Sequence, residues 1–229
     1  MCRPSGWRRW VLLLCSGLLP VVCACGIEQP QAEQTAYPIS GLYTPGNRLG
    51  ASDPTDTPMG LGDRCKSFPK LAEGEAGTEG MLTVQYATRT VDGRYAPKNC
   101  TAAWIETPDG RYVATIEIRA ALHRDGLVYW QEHACTEKLG PDVVSTATLA
   151  DHERMHMVGW KGLDLDGMPV PDGPYTLYIE VTESDKEVGE VATFEVTKGP
   201  EAFDIDAPVD FEGLLEAVQL TWEPEGNGG

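Results

Sequence analysis

The sequence predicts an all-β protein, an Ig-like antiparallel β-sandwich behind a disordered stalk. Three observations predict it. Apolar residues recur at every second position in five runs between Met81 and Trp222. Pro-Asp-Gly turns stand between runs, at 108–110 and 171–173. Residues 26–78, by contrast, are rich in Pro, Gly, Gln, Thr and acids and keep no apolar period. Period two sends successive side chains to opposite faces of a strand, so each run buries one face. Several short half-buried strands separated by turn chemistry pack as two sheets.

The runs are read in order. Leu82, Val84 and Tyr86 alternate with Thr83, Gln85 and Ala87. Tyr112, Ala114, Ile116 and Ile118 alternate with Val113, Thr115, Glu117 and Arg119. Tyr175, Leu177, Ile179 and Val181 form the third run, Ala192, Phe194 and Val196 the fourth, and Val218, Leu220 and Trp222 the last. Thr107-Pro108-Asp109-Gly110 joins a strand holding Trp104 and Ile105 to the one that starts at Tyr112. Pro sets the φ of the turn's second residue and Gly supplies a positive φ. Ala120–Leu139 breaks the period and is expected to hold a short helix carrying Leu127 and Trp130. The span 81–222 suits one core, and no internal repeat interrupts it.

The N-terminus reads as an export signal. Arg3, Arg8 and Arg9 precede an apolar stretch from Val11 to Val22. That stretch is shorter than the roughly 20 residues a spanning helix needs. A basic start, a short apolar core and small residues at its end make a signal peptide. The junction Val22-Cys23-Ala24-Cys25-Gly26 resembles the lipobox of bacterial lipoproteins. The resemblance implies cleavage before Cys25, a lipid on Cys25, and a protein held to a membrane in the periplasm or at the cell surface. Gly26 in place of aspartate favours the outer membrane by analogy. The expected organisation is a signal peptide at 1–24, a flexible linker at 25–78, the sandwich at 79–222 and a disordered tail at 223–229.

Removal of 1–24 takes away three arginines and no acid, so the formal charge of −17 becomes −20. A chain this acidic is repelled by nucleic acid, which excludes that class of partner. Gly199–Gly229 carries eight acids and no Lys or Arg, and much of it reads as solvated linker before a final strand. Cys2, Cys15 and Cys23 leave with the signal and Cys25 carries lipid, so Cys65, Cys100 and Cys135 remain. An oxidising compartment then allows one disulfide and leaves one thiol. Cys100–Cys135 is the favoured pairing, since both flank the predicted sandwich while Cys65 sits in the linker.

Two blocks carry a family resemblance. One runs from Tyr95-Ala96-Pro97-Lys98-Asn99-Cys100 through Trp104-Ile105-Glu106-Thr107 to Gly110-Arg111-Tyr112-Val113. The other runs Ser145-Thr146-Ala147-Thr148-Leu149, then Trp160, Asp164, Gly167 and Val170-Pro171-Asp172-Gly173-Pro174-Tyr175. Together they resemble the bacterial predicted periplasmic protein family known as domain of unknown function 2271, over about 81–198 and on to the strand ending at 222. The second block also resembles the Ig-like domain of flagellar hook-cap proteins in its strand and turn chemistry. The family resemblance implies company with periplasmic flavin-transfer enzymes. Asp142-Val143-Val144-Ser145-Thr146-Ala147-Thr148 is similar to the site where FMN is attached through its phosphate. By that likeness Thr148 is the acceptor, while Asp142 and Ser145 shape the loop for the transferase. Thr146 stands where the flavinylation site has Gly, and a β-branched residue resists a positive φ.

His152-Glu153-Arg154-Met155-His156 matches His-Glu-x-x-His, the zinc-peptidase pattern, which needs a helix. Here it runs into a strand, where residues four apart lie about 13 Å apart, too far to share one ion. A looser copper or zinc reading joins His133, Cys135, His152 and His156, with Met155 or Met157 nearby. Asp164-Leu165-Asp166-Gly167 reads as a turn; Met168 and Val170 stand where a calcium loop needs oxygen ligands. No nucleophile–base pair or phosphate loop is visible, so no catalytic residue is assigned. Three readings follow: a tethered binding or structural module, an extracytoplasmic electron carrier with FMN on Thr148, and a copper- or zinc-binding lipoprotein.

Overall fold

Alternation of apolar and polar residues becomes strand pairing in the computed structural model. It describes residues 65, 66, 68, 70, 71, 75, 77–152, 154–184, 189–207, 209 and 213–226. All of them belong to one unit of the chain, 37–229. The predicted signal peptide, Cys25, most of the linker, Glu153 and residues 227–229 lie outside the described residues.

Nine strands are described: β1 (Gly80–Thr88), β2 (Cys100–Glu106), β3 (Tyr112–Arg119), β4 (Val144–Thr146), β5 (His156–Trp160), β6 (Gly173–Thr182), β7 (Glu190–Lys198), β8 (Phe203–Ala207) and β9 (Leu215–Pro224). They form a four-stranded sheet, ordered β5-β1-β9-β8, and a five-stranded sheet, ordered β4-β3-β2-β6-β7. Leu82, Val84 and Tyr86 of β1 meet Trp222, Leu220 and Val218 of β9 in register, and all six side chains are buried. The inner faces of both sheets share one apolar core that includes Ile105, Ile116, Leu177 and Ile179. The chain is therefore an all-β sandwich. Its pairing is antiparallel except for β3–β4, which is parallel.

The Thr107–Gly110 turn closes the β2–β3 hairpin as expected. Gly110 takes φ +79°, and Gly110 N–H donates to the Thr107 carbonyl at 2.9 Å. The eight-acid C-terminal segment is not linker up to its last strand: Phe203–Ala207 forms β8, paired with β9 from Phe203↔Trp222 to Ala207↔Val218. Its alternation, Phe-Asp-Ile-Asp-Ala, puts the acids on the outward face. β9 runs two residues past the predicted limit, to Pro224.

The five-stranded sheet is covered on both faces, which one-face alternation does not announce. Every residue of β2 is buried. The segment after β3 folds over the outer face, with a 3-10 turn at Arg124–Gly126 and a six-residue helix, α1 (Val128–His133). Leu127 caps α1 and Trp130 lies within it, both buried against Trp104, Tyr112 and Ile118. Glu180 of β6 holds this helix: its two carboxylate oxygens accept the backbone N–H groups of Tyr129 (3.1 Å) and Trp130 (2.7 Å). No local side chain caps the first turn, so the strand beneath satisfies donors that would otherwise be orphaned.

The disulfide expectation is corrected here. Cys65 pairs with Cys135, with Cα atoms 5.3 Å apart, and Cys100 is a buried free thiol. All three lie in or against the outer cluster under α1, so apolar packing collects them and position along the chain does not choose the pair. The end of the predicted linker is consequently held to the sandwich. Phe68 N–H donates to Asp164 Oδ2 (3.0 Å), and the Arg111 guanidinium stacks over the Phe68 ring at 4.0 Å. Thr78 donates to Asp172 through its backbone N–H (2.7 Å) and its hydroxyl (2.6 Å), and Lys198 Nζ donates to the same carboxylate at 2.8 Å.

Candidate functional site

The residues of the predicted flavin loop fall on one edge of the five-stranded sheet. Ser145 and Thr146 belong to β4 and are exposed, whereas Thr148 is half-buried just before buried Leu149. Leu149 is pinned by a two-way backbone bridge with Asn99, at 2.8 Å each way. Asp142 lies apart from the hydroxyls: it accepts Lys161 N–H at 3.0 Å and faces Lys161 Nζ at 4.0 Å. Thr146 is in strand conformation, opposite Arg119 in register, so it does not take the positive φ that a glycine would permit.

Two cations converge on this edge, and sequence reading missed both. Arg119 Nη1 donates to Thr146 Oγ1 at 3.2 Å, and Arg124 Nη2 donates to Ser145 Oγ at 3.3 Å. The parallel β3–β4 pairing brings Arg119 there; no local pattern announces a parallel partner 27 residues away. A guanidinium pair beside hydroxyls in an acidic chain is suited to holding an anion such as a phosphate ester.

Behind the edge lies a buried polar network. Arg119 Nε and the Tyr86 hydroxyl both donate to the Glu117 carboxylate, and Tyr86 Oη lies 3.2 Å from Thr101 Oγ1. A bulge in the β2–β3 register, between Ala103 and Trp104, turns Glu117 toward Tyr86 on the inner face. Burial is the largest influence on Glu117 and raises its carboxyl above the usual range, against the opposing pull of Tyr86 and Arg119. Burial likewise raises Glu180, against its backbone donors.

These shifts set a pH dependence. An acid whose folded pKa is raised binds protons more readily folded than unfolded, so it lowers stability as pH rises from its unfolded value near 4.3 through its folded value. Asp172 works the opposite way. Although its burial opposes the shift, hydrogen bonds from Lys198 and Thr78 lower it, so its contribution is lost as pH falls below about 3.9. The unfolding free energy is expected to decrease between pH 4.5 and 7.5, and Glu180→Gln to flatten that decrease. Urea titrations at the two pH values test this; an unchanged slope in the variant would refute the assignment.

The histidine and cysteine set is not assembled. Cys135 is consumed by the disulfide. His133 lies on α1, its ring stacked on Tyr129 at 3.9 Å. His152 uses both ring nitrogens, Nδ1 with Thr88 Oγ1 (2.9 Å) and Nε2 with the Pro97 carbonyl (2.7 Å). His156 opens β5 and faces inward, with Nε2 at 2.8 Å from the Asp151 carbonyl. Among the described residues, no group of three or more His, Cys, Asp and Glu is placed to hold a metal ion. Asp164 forms the expected turn, Oδ1 accepting the N–H groups of Asp166 and Met168 at 2.8 Å each.

The fold and these arrangements define an all-β sandwich with a covered outer face and a cationic, hydroxyl-bearing edge. No protein-family model, curated protein or solved structure matches the chain.

Proposed function

We propose that the chain is an exported, lipid-tethered β-sandwich acting outside the cytoplasm as a binding or structural module. The observation that carries this reading is that three of the buried carboxylates, Glu180, Glu183 and Asp164, are spent on backbone donors. Glu180 holds α1 through two backbone donors. Glu183 Oε2 holds the N–H groups of Val91 (3.0 Å) and Gly93 (2.8 Å). Asp164 holds its own turn and Phe68. Carboxylates spent on backbone donors are scaffold, because a general acid or base has to face the group it protonates or deprotonates. The basic, apolar and small-residue order of residues 1–24, followed by Cys25, supports the tether.

A second reading is favoured by Arg119 and Arg124. It makes the domain an extracytoplasmic electron carrier with FMN on Thr148, in keeping with the resemblance to domain of unknown function 2271. FMN would supply the redox chemistry. Thr148 would hold the phosphodiester, and the two guanidiniums on Thr146 and Ser145 would offset its charge in a chain of formal charge −17. Thr146 in strand conformation is the feature that opposes this reading, if the transferase requires a positive φ there.

Intact mass separates the readings, measured on the full-length protein from an exporting host that carries an active periplasmic flavin transferase. Mass beginning at Cys25 with added acyl chains is the expected result. Cleavage without lipid would reduce the protein to a secreted one, and an uncleaved chain would overturn export. No added FMN is expected for the module. Added FMN that disappears in Thr148→Ala would establish the carrier.

A further inference from the structure

Among the described residues, two buried side-chain atoms lack a hydrogen-bond partner: Asn99 Oδ1 and Glu183 Oε1. Both are acceptors, on residues 0% and 3% exposed. The sheet sets these residues side by side. The β2–β6 register ends at Cys100↔Thr182, and Asn99 and Glu183 are the next residues on either strand. They continue the inward-facing positions, Ile105 and Ala103 on β2, Ile179 and Val181 on β6. Asn99 uses its backbone N–H and carbonyl on Leu149, so toward β6 it is a non-hydrogen-bonded position. Residues facing at such a position have Cα atoms about 4.5 Å apart and their side chains closest. The two side-chain heads also close on one short stretch of chain. Asn99 Nδ2 donates to the Arg89 carbonyl at 3.0 Å, which leaves Oδ1 as the unpaired atom of the amide. Glu183 Oε2 accepts the N–H groups of Val91 (3.0 Å) and Gly93 (2.8 Å), which leaves Oε1.

A buried oxygen without a donor is costly, and a buried carboxylate without a counter-charge is more so. No ion pair among the described residues includes Glu183. Arg89, the cation beside this corner, gives its Nε to the Gly213 carbonyl. Water could donate to both oxygens but would leave the carboxylate charge without a partner, whereas a cation answers both needs. We propose that Asn99 Oδ1 and Glu183 Oε1 are ligands of a calcium ion that ties residues 89–93 to the ends of β2 and β6. Calcium takes carboxylate, amide, backbone carbonyl and water oxygens in flexible number, while magnesium demands an ideal octahedron and keeps several waters. The Arg89 carbonyl, already at this corner, has a second lone pair to offer. A single carboxylate makes the site a weak one, of about 0.1–1 mM. The proposal requires neither the lipid tether nor the flavin.

The test is NMR of the full chain labelled with 15N, freed of metal by a chelator and titrated with calcium chloride in sodium-containing buffer. The backbone signals of Val91 and Gly93 shift along one saturating curve, while those of Asp166 and Met168, on the Asp164 turn, stay in place. Magnesium and potassium chlorides do not reproduce the shift. Glu183→Gln weakens calcium at least about tenfold, and its own amide can donate to Asn99 Oδ1 in place of the ion. Asn99→Asp supplies a second carboxylate and tightens calcium at least about tenfold, because ligand charge sets affinity. Calcium that leaves the Val91 and Gly93 signals in place, as when it spreads over surface acids, overturns the proposal. So does an equal response to magnesium or potassium, unchanged affinity in Glu183→Gln, or no gain in Asn99→Asp.

Discussion

Trp130→Ala is expected to lower the unfolding free energy by about 3–5 kcal/mol, the usual cost of deleting a fully buried tryptophan. Trp130 is 1% exposed and sits under α1 on the outer face of the five-stranded sheet. Its indole N–H donates to Thr115 Oγ1 at 3.0 Å. Its backbone N–H is one of those that the Glu180 carboxylate accepts. The truncation opens a cavity against Trp104 and Ile118, whose other sides are backed by the sheet and cannot close in. Urea unfolding compared with Leu122→Ala, a residue 94% exposed, provides the measurement. The control should stay within about 0.5 kcal/mol of the parent. A loss under about 1 kcal/mol for Trp130→Ala would mean that the segment after β3 is an accessory flap and not part of the core.

Cys65→Ser is expected to destabilise by about 4 kcal/mol under oxidising conditions. The bond to Cys135 closes a loop of 70 residues, and the chain-entropy model assigns such a loop that cost. The substitution also loosens the contacts of Phe68 with Asp164 and of the Lys66 carbonyl with Arg111. Cys100→Ser should leave the bond intact, as non-reducing peptide mapping would show. A Cys100–Cys135 bond in the parent protein would overturn this pairing. The free thiol carries a second signature. Burial, assisted by the nearby Glu180 carboxylate, pushes Cys100 up to about 11. Native protein at pH 8 should resist alkylation at Cys100, and unfolded protein should react there, because only thiolate attacks.

Between them these expectations mark how far the chain explains itself. The strands were legible wherever one face meets the core and the other meets water, as in β1, where Leu82, Val84 and Tyr86 alternate with half-exposed neighbours. Period two is a local property, so a single sequence displays it. The Thr107–Gly110 turn was legible for the same reason, since its chemistry lies in adjacent residues. The 120–139 break was readable as a short helix around Leu127 and Trp130, but not as the cover of a second buried face. That cover is why β2 shows no alternation of burial at all.

At the candidate edge, the hydroxyls were visible in order and their cations were not. Arg119 reaches Thr146, and Arg124 reaches Ser145, through a parallel pairing that brings together residues 21 to 27 positions apart. The disulfide followed the same rule. Cys65, Cys100 and Cys135 were countable beyond the expected signal peptide and lipid-bearing cysteine, but their pairing depended on which two side chains the outer cluster brought within bonding reach. Composition, local period and turn chemistry thus determined the class of the fold and the list of candidate groups. Packing decided which of those groups meet, because contact across a sheet or under a cap depends on register and crossing, and neither is written in neighbouring residues.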